Sequence, residues 1–130
     1  MRVYLDSAPI IYIVENIAPY TAQLRQRLSE SETVQVCSDL TRLECRVKPV
    51  KDGNQALVTA FERYLSEIVS EVVPLSRGVI DYATDLRAHY GFKTPDAIHL
   101  AAAVLSGCDV FLTNDQRLRR CTEIVVEVLT

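Results

Sequence analysis

The 130-residue sequence contains no tryptophan, one methionine, four glycines and five prolines. So few glycines and prolines exclude a collagen-like chain or one dominated by flexible linkers. The longest apolar runs fall well short of the roughly 20 residues that a membrane span requires. Basic residues are not in excess either, since 14 lysines and arginines face 17 acidic residues. This balance excludes a generally basic nucleic-acid coat but leaves binding through a local patch open.

The four cysteines are scattered and include no C-x-x-C pair that would suggest a redox or zinc motif. We therefore expect reduced, mostly buried thiols, which are typical of a cytoplasmic protein. The N-terminus reaches Asp6 without an apolar core segment, so we expect no signal peptide. These features predict a cytoplasmic localisation and no membrane segment.

Short apolar runs alternate along the chain with amphipathic segments, and hydrophobic residues make up 48% of the sequence. This alternation predicts a single α/β domain over residues 1–130 with a mainly parallel sheet covered on both faces. Between the strands we expect helices, one of which should stop before Pro49 and another of which should begin with Thr94 as its N-cap. The five strands are predicted at Val3–Leu5, Val34–Cys37, Val72–Leu75, Val110–Leu112 and Ile124–Leu129.

Acidic residues lie at the ends of predicted strands and on predicted helices. Asp6 directly follows the first strand, and Asp115 closely follows the fourth. Asp96 lies in the first turn of an apolar helix, and Glu44 lies on the helix after the second strand. Ligands of parallel sheets bind beyond the carboxyl ends of the strands. Carboxylates that converge there repel one another unless a cation neutralises them, and oxygen ligands suit Mg²⁺ or Mn²⁺.

Each acid also has a purely structural interpretation. Asp6 and Asp115 could cap the helices that follow them. Asp96 could interact with the dipole of its helix, and Glu44 could be an ordinary surface residue. Three of the four acids fall at the same predicted sheet edge, however, which favours a common site. Metals held in this way activate water and bind phosphate oxygens in phosphodiester hydrolysis.

Four segments of the chain carry a further signal: Tyr4–Ser7, Leu40–Glu44, Lys93–Ala103 and Val110–Asp115. Together they resemble the signature segments of PIN domains, in the order of that family and across the whole chain. The resemblance implies a three-layer α/β/α sandwich with a mainly parallel central sheet. It also implies a metal-dependent ribonuclease, and the small bacterial and archaeal members are mostly VapC-type toxins of toxin–antitoxin pairs.

The resemblance also assigns roles to individual residues. Thr113 and Ser7 match positions that support the metal ligands through hydrogen bonds. Position 8, where many members carry Asn or Ser, is Ala8 in this chain, which removes one polar support but no acid. Catalysis and the binding of Mg²⁺ or Mn²⁺ fall to Asp6, Glu44, Asp96 and Asp115.

Partners follow from the same resemblance: an RNA substrate, a cognate antitoxin and a second copy of the chain in a homodimer. The amphipathic segments Thr21–Leu28 and Leu57–Ile68 are candidates for the protein contacts. His99 shares a helix face with Asp96, and we expect a satisfied core histidine there rather than a contact to substrate. Basic residues that could bind RNA phosphates are Arg42, Arg46, Lys93 and Arg117.

Two alternatives of other classes remain at this stage. A phosphoacceptor receiver domain would need an adjacent acidic pair after the first strand, whereas Asp6 is followed by Ser7 and Ala8. A PIN-like scaffold without catalysis is disfavoured because all four acids are present.

The charge balance changes when the four acids of the predicted metal site are set aside. Taking these four from the 17 acidic residues leaves 13, against 14 basic residues. We therefore expect metal binding to improve RNA binding as well as to enable cleavage.

Overall fold

A single five-stranded sheet forms the centre of the molecule, which the computed structural model describes over residues 1–130. Every neighbouring pair of strands is parallel, so the mainly parallel sheet expected from the sequence is in fact wholly parallel. The strand order is β3-β2-β1-β4-β5. The strands are β1 (Arg2–Leu5), β2 (Val34–Ser38), β3 (Glu71–Val73), β4 (Val110–Thr113) and β5 (Val125–Val128).

Six α-helices connect and cover the strands. None is both long and apolar enough to cross a bilayer. A short 3₁₀ helix, Gln116–Arg120, separates the last two strands, and a π-helical turn, Tyr64–Ile68, extends the fourth helix. The helices are α1 (Ser7–Val14), α2 (Tyr20–Leu28), α3 (Asp39–Lys51), α4 (Gln55–Arg63), α5 (Arg77–Tyr90) and α6 (Thr94–Leu105).

The helices form one layer on each face of the sheet because strand side chains alternate between the two faces. On one face Tyr4 packs in a buried cluster with Leu86 of α5 and Leu100 of α6. On the other face Leu5 belongs to a second cluster, which contains residues of α1 to α4 such as Phe61. The chain therefore has the predicted three-layer α/β/α architecture.

Two predicted helix boundaries were wrong. Helix α3 continues through Pro49 to Lys51 instead of stopping before the proline. A proline within a helix removes one backbone hydrogen bond, but this one lies near the helix end and is itself buried. Helix α6 begins one residue earlier than expected, with Lys93 as its N-cap and Thr94 inside the helix.

The topology brings the ends of two central strands together. Strands β1 and β4 are neighbours, with Leu5 opposite Leu112. The backbone N–H of Asp6 donates to the Leu112 carbonyl at 3.0 Å. Asp6, which follows β1, and the segment from Thr113 at the end of β4 to Asp115 therefore share one edge of the sheet.

Candidate active site

Asp6 is held from two sides at this edge. Its Oδ1 accepts the Ser7 backbone N–H at 2.9 Å, which caps α1. Its Oδ2 accepts the Thr113 hydroxyl at 2.7 Å. The side chain is 14% exposed, so one oriented carboxylate faces the edge. The capping role, which the sequence offered as an alternative to catalysis, is therefore present, and the same carboxylate lies at the carboxyl edge of the sheet.

Asp115 lies beside Asp6 on the next strand end and is paired with an arginine. Both of its carboxylate oxygens contact Arg117, at 3.0 Å to Nε and 2.7 Å to Nη2. Oδ1 also accepts the Arg117 backbone N–H at 2.9 Å, which caps the 3₁₀ helix. These hydrogen bonds lower the pKa of Asp115 below its usual value.

Asp96 enters the same edge from the first turn of α6. It makes no hydrogen bond and no ion pair with any other side chain. Burial raises the pKa of Asp96, and the negative charges of Asp6 and Asp115 raise it further. Mutual repulsion of this kind arises when carboxylates lie near one another without a neutralising cation. The three aspartates predicted from separate segments are therefore brought together.

Glu44 completes the acidic group from α3. Its Oε1 accepts two hydrogen bonds, from the Ser7 hydroxyl at 2.7 Å and from His99 Nε2 at 2.6 Å. Burial by itself raises the pKa of Glu44, but the hydrogen bonds from His99 and Ser7 outweigh it, so that the net shift is downward. Glu44 is therefore an ionised, half-buried carboxylate and not an ordinary surface residue.

His99 is the residue of the site whose role the sequence did not reveal. It is 1% exposed, so the expectation of a satisfied core histidine is correct. Its Nε2 nevertheless contacts Glu44, and its Nδ1 lies 2.7 Å from the Tyr4 hydroxyl. The hydroxyl of Tyr4 in turn hydrogen-bonds with Ser38 Oγ at 2.9 Å. The spacing of three residues from Asp96 was the one available signal, because it placed His99 on the same helix face.

The four basic candidates divide into two pairs. Arg117 contacts Asp115, and Lys93 is near enough for its charge to lower the pKa of the same carboxyl group. Arg42 and Arg46, in contrast, both approach Glu62 of α4, at 3.9 Å and 3.2 Å. Residues two apart on a helix point in different directions, which explains why these arginines do not accompany Glu44 into the site.

The four carboxylates do not form a ready-made metal cage, since no three potential ligands converge on one point. Arg117 engages Asp115, and His99 lies between Glu44 and Asp6. The donor chemistry nevertheless fits a hard divalent cation such as Mg²⁺ or Mn²⁺, because all four side chains offer oxygen atoms. Asp96 supports the same conclusion, because it is half-buried, unpaired and repelled by two neighbouring acids.

Comparison with known families now identifies the class of protein. The sequence matches the PIN domain family over residues 3–124. The chain therefore belongs to the PIN domain family. No curated relative matches the sequence.

Solved structures share this fold at low sequence identity. VapBC2 from Rickettsia felis, bound to a DNA fragment from its promoter, is 15% identical, with a TM-score of 0.78 and 98% of each chain covered. A toxin–antitoxin complex from Klebsiella pneumoniae is 19% identical, with a TM-score of 0.68 and 95% of each chain covered. VapC20 from Mycobacterium tuberculosis, a sarcin-ricin loop cleaving toxin, is 15% identical, with a TM-score of 0.68, covering 84% of this chain and 86% of that one. At these identities the likeness establishes the fold.

Proposed function

We propose that this protein is a metal-dependent endoribonuclease that hydrolyses RNA phosphodiester bonds. The observation that carries the proposal is the unpaired carboxylate of Asp96, which lies near Asp6 and Asp115 at the carboxyl edge of the sheet. Repulsion between these like charges destabilises the metal-free protein, and a bound divalent cation would neutralise the repulsion. Membership of the PIN family supports the same conclusion.

In this proposal Asp6, Glu44, Asp96 and Asp115 hold one or two Mg²⁺ or Mn²⁺ ions. When bound, the metal supplies an activated water and Lewis acidity towards phosphate oxygens. Thr113 and Ser7 keep Asp6 in one orientation through their hydrogen bonds. The hydroxyl of Ser7 donates its proton to Glu44, so Ser7 acts as a support and not as a nucleophile.

Two basic side chains near the acidic edge can attract a phosphodiester. Lys93 and Arg117 are both exposed, and the positive charge of each lowers the pKa of Asp115. A phosphate that approaches the acids would otherwise meet only negative charge. We assign to these two residues the attraction of the RNA backbone, a contribution that is independent of base sequence.

We also propose that the protein is the toxin of a type II toxin–antitoxin pair. The support comes from the solved relatives, among which are toxin–antitoxin complexes. Helix α3 also exposes three apolar side chains at helical spacing, Leu43, Val47 and Val50, each 57–60% exposed. A cognate antitoxin or a second copy of the chain would bury this stripe. The segments Thr21–Leu28 and Leu57–Ile68 were the sequence-based candidates for protein contacts. Their apolar residues Leu24 and Leu65 are buried in the hydrophobic core.

A PIN-like scaffold without catalysis is the second candidate function. The observation in its favour is that the acids form no ready-made metal cage and that Arg117 engages Asp115. In a scaffold this ion pair would persist, and added metal would not bind.

Cleavage of cellular RNA tests the proposal directly. Purified protein should cut a small number of sites in total RNA with Mg²⁺ or Mn²⁺ and none with EDTA, as mapped by sequencing the new 5′ ends. Total RNA is the suitable substrate because the structural relatives include a sarcin-ricin loop cleaving toxin. Folded protein that binds no Mn²⁺ and cuts no RNA would favour the scaffold.

Arg117→Ala separates metal binding from RNA binding. Because Arg117 competes with a metal for Asp115, its removal should tighten Mn²⁺ binding roughly two- to five-fold, the range of an exposed ion pair. RNA affinity, measured by fluorescence anisotropy, should fall because a phosphate contact is lost. Arg119→Ala, on the same short helix and without a contact to an acid, is the matched control. Weaker Mn²⁺ binding in Arg117→Ala would contradict the competition.

A further inference from the structure

His99 connects the acidic edge with the protein interior. Its Nε2 lies 2.6 Å from Glu44 Oε1 and 3.6 Å from Asp6 Oδ1. Its Nδ1 lies 2.7 Å from the hydroxyl of Tyr4. Both ring nitrogens thus have partners, and a rotation of the ring would break both contacts at once. A buried polar group that loses its partner costs free energy, so the ring is held in one orientation.

The chemistry of these partners determines which nitrogen carries a proton. A carboxylate can only accept hydrogen bonds. Nε2 must therefore be protonated to contact Glu44 at 2.6 Å. Nδ1 faces the Tyr4 hydroxyl at 2.7 Å, and that hydroxyl donates its own proton to Ser38 Oγ at 2.9 Å. Burial raises the pKa of Tyr4 well above its usual value, so the phenol keeps the proton that it donates.

Glu44 is constrained on one oxygen only. Ser7 and His99 both donate to Oε1, whereas Oε2 makes no hydrogen bond and is not a buried unsatisfied atom. Holding one oxygen from two directions fixes the plane of the carboxylate and leaves the other oxygen available as a ligand. Histidine and hydroxyl partners behind metal ligands orient them in this way.

We propose that His99 is a positioning residue, held in place by its contact with Tyr4, which lies between Asp6 and Glu44 and orients the Glu44 carboxylate as a ligand for a divalent cation. This role rests on the proposed function, since it concerns the same acidic site. It goes beyond that function because it gives a positioning role to His99 and Tyr4, two buried residues that are not themselves ligands.

Mn²⁺ affinity in the absence of RNA tests this role. His99→Leu should weaken Mn²⁺ binding by roughly 10- to 100-fold, the usual effect of removing a partner of a ligand. His99→Gln retains an N–H donor and should recover part of that loss. Tyr4→Phe removes only the hydroxyl and keeps the ring stacked on Phe111, so it should fold normally and weaken Mn²⁺ binding by several-fold. Binding is measured by electron paramagnetic resonance of free Mn²⁺.

A matched control is available on the opposite face of the sheet. Tyr64 also donates its hydroxyl to a single side chain, Gln35, at 2.6 Å, but it belongs to the other hydrophobic cluster. Tyr64→Phe should leave Mn²⁺ affinity unchanged. Two-bond ¹H–¹⁵N correlation spectra supply a readout besides affinity, because the wild type should show a proton on His99 Nε2, the nitrogen that contacts Glu44.

The outcomes separate this role from the proposed function. Wild-type protein that binds no Mn²⁺ would overturn both. Wild-type protein that binds Mn²⁺, with unchanged affinity in His99→Leu and Tyr4→Phe, would overturn the role of His99 alone. A wild-type spectrum that shows no proton on Nε2 would also overturn it.

Discussion

Asp96→Asn should abolish RNA cleavage and at the same time stabilise the metal-free protein. The substitution keeps the size of the side chain but removes one negative ligand from the proposed metal site. A metal ligand contributes several kcal/mol to the transition state, so cleavage should fall by at least about 100-fold. In the absence of metal, however, the charge of Asp96 is repelled by Asp6 and Asp115. Removing it should therefore raise the free energy of unfolding measured in EDTA.

The opposite signs of these two effects make the test specific to a cation site. Asp85→Asn is the matched control, because Asp85 is an exposed acid on the neighbouring helix α5. It makes the same change in net charge and should alter neither cleavage nor stability appreciably. Asp96→Asn protein that cuts RNA like the wild type would contradict the assigned mechanism. Asp96→Asn protein that is less stable in EDTA would contradict the proposed repulsion.

The strand-end positions of Asp6 and Asp115 are the part of the candidate site that follows from the sheet alone. Both residues come just after strands, and the carboxyl ends of neighbouring parallel strands must meet. The supporting role of Thr113, in contrast, was implied by the resemblance to PIN domains, and its hydroxyl does donate to Asp6. The hydrophobic alternation that predicts the strands also predicts the two covered faces, so the layers followed without any knowledge of tertiary contacts.

Long-range side-chain contacts could not be predicted in this way. The hydrogen bond between His99 and Glu44 joins residues that are 55 positions apart, and neither local pattern contains it. Arg42 and Arg46 were candidates for RNA contacts because they flank Glu44 in the sequence, but their approach to Glu62 of α4 depends on packing between helices that the sequence does not show. Pro49 was read as a helix end because its local penalty was known and its burial was not.

Asp6→Ala should combine a loss of cleavage with a loss of stability, in contrast to Asp96→Asn. Asp6 caps α1 and accepts the buried Thr113 hydroxyl at 2.7 Å. A lost cap costs about 1 kcal/mol, and a lost hydrogen bond to a charged group costs about 1.5–3 kcal/mol. Relief of the repulsion of Asp96 offsets part of this, so we expect a net loss of about 2 kcal/mol in urea unfolding experiments.

Asp109→Ala is a control for the stability effect, because Asp109 also accepts a backbone N–H, from Arg2 at 2.8 Å. It lies at the opposite end of the same two strands, so this variant should cleave RNA normally and lose less stability. A double-mutant cycle with Thr113→Val then isolates the bond between Asp6 and Thr113.

Removing the hydroxyl should cost much less once Asp6 is alanine, since Thr113 then keeps only the N–H of Asp115 as a partner, at 3.1 Å. We expect a coupling energy of about 1.5–3 kcal/mol, the strength of a hydrogen bond to a charged group. A coupling energy near zero would show that Thr113 does not hold Asp6. In that case Asp6 would be positioned by the cap of α1 alone, and Thr113→Val should leave cleavage intact.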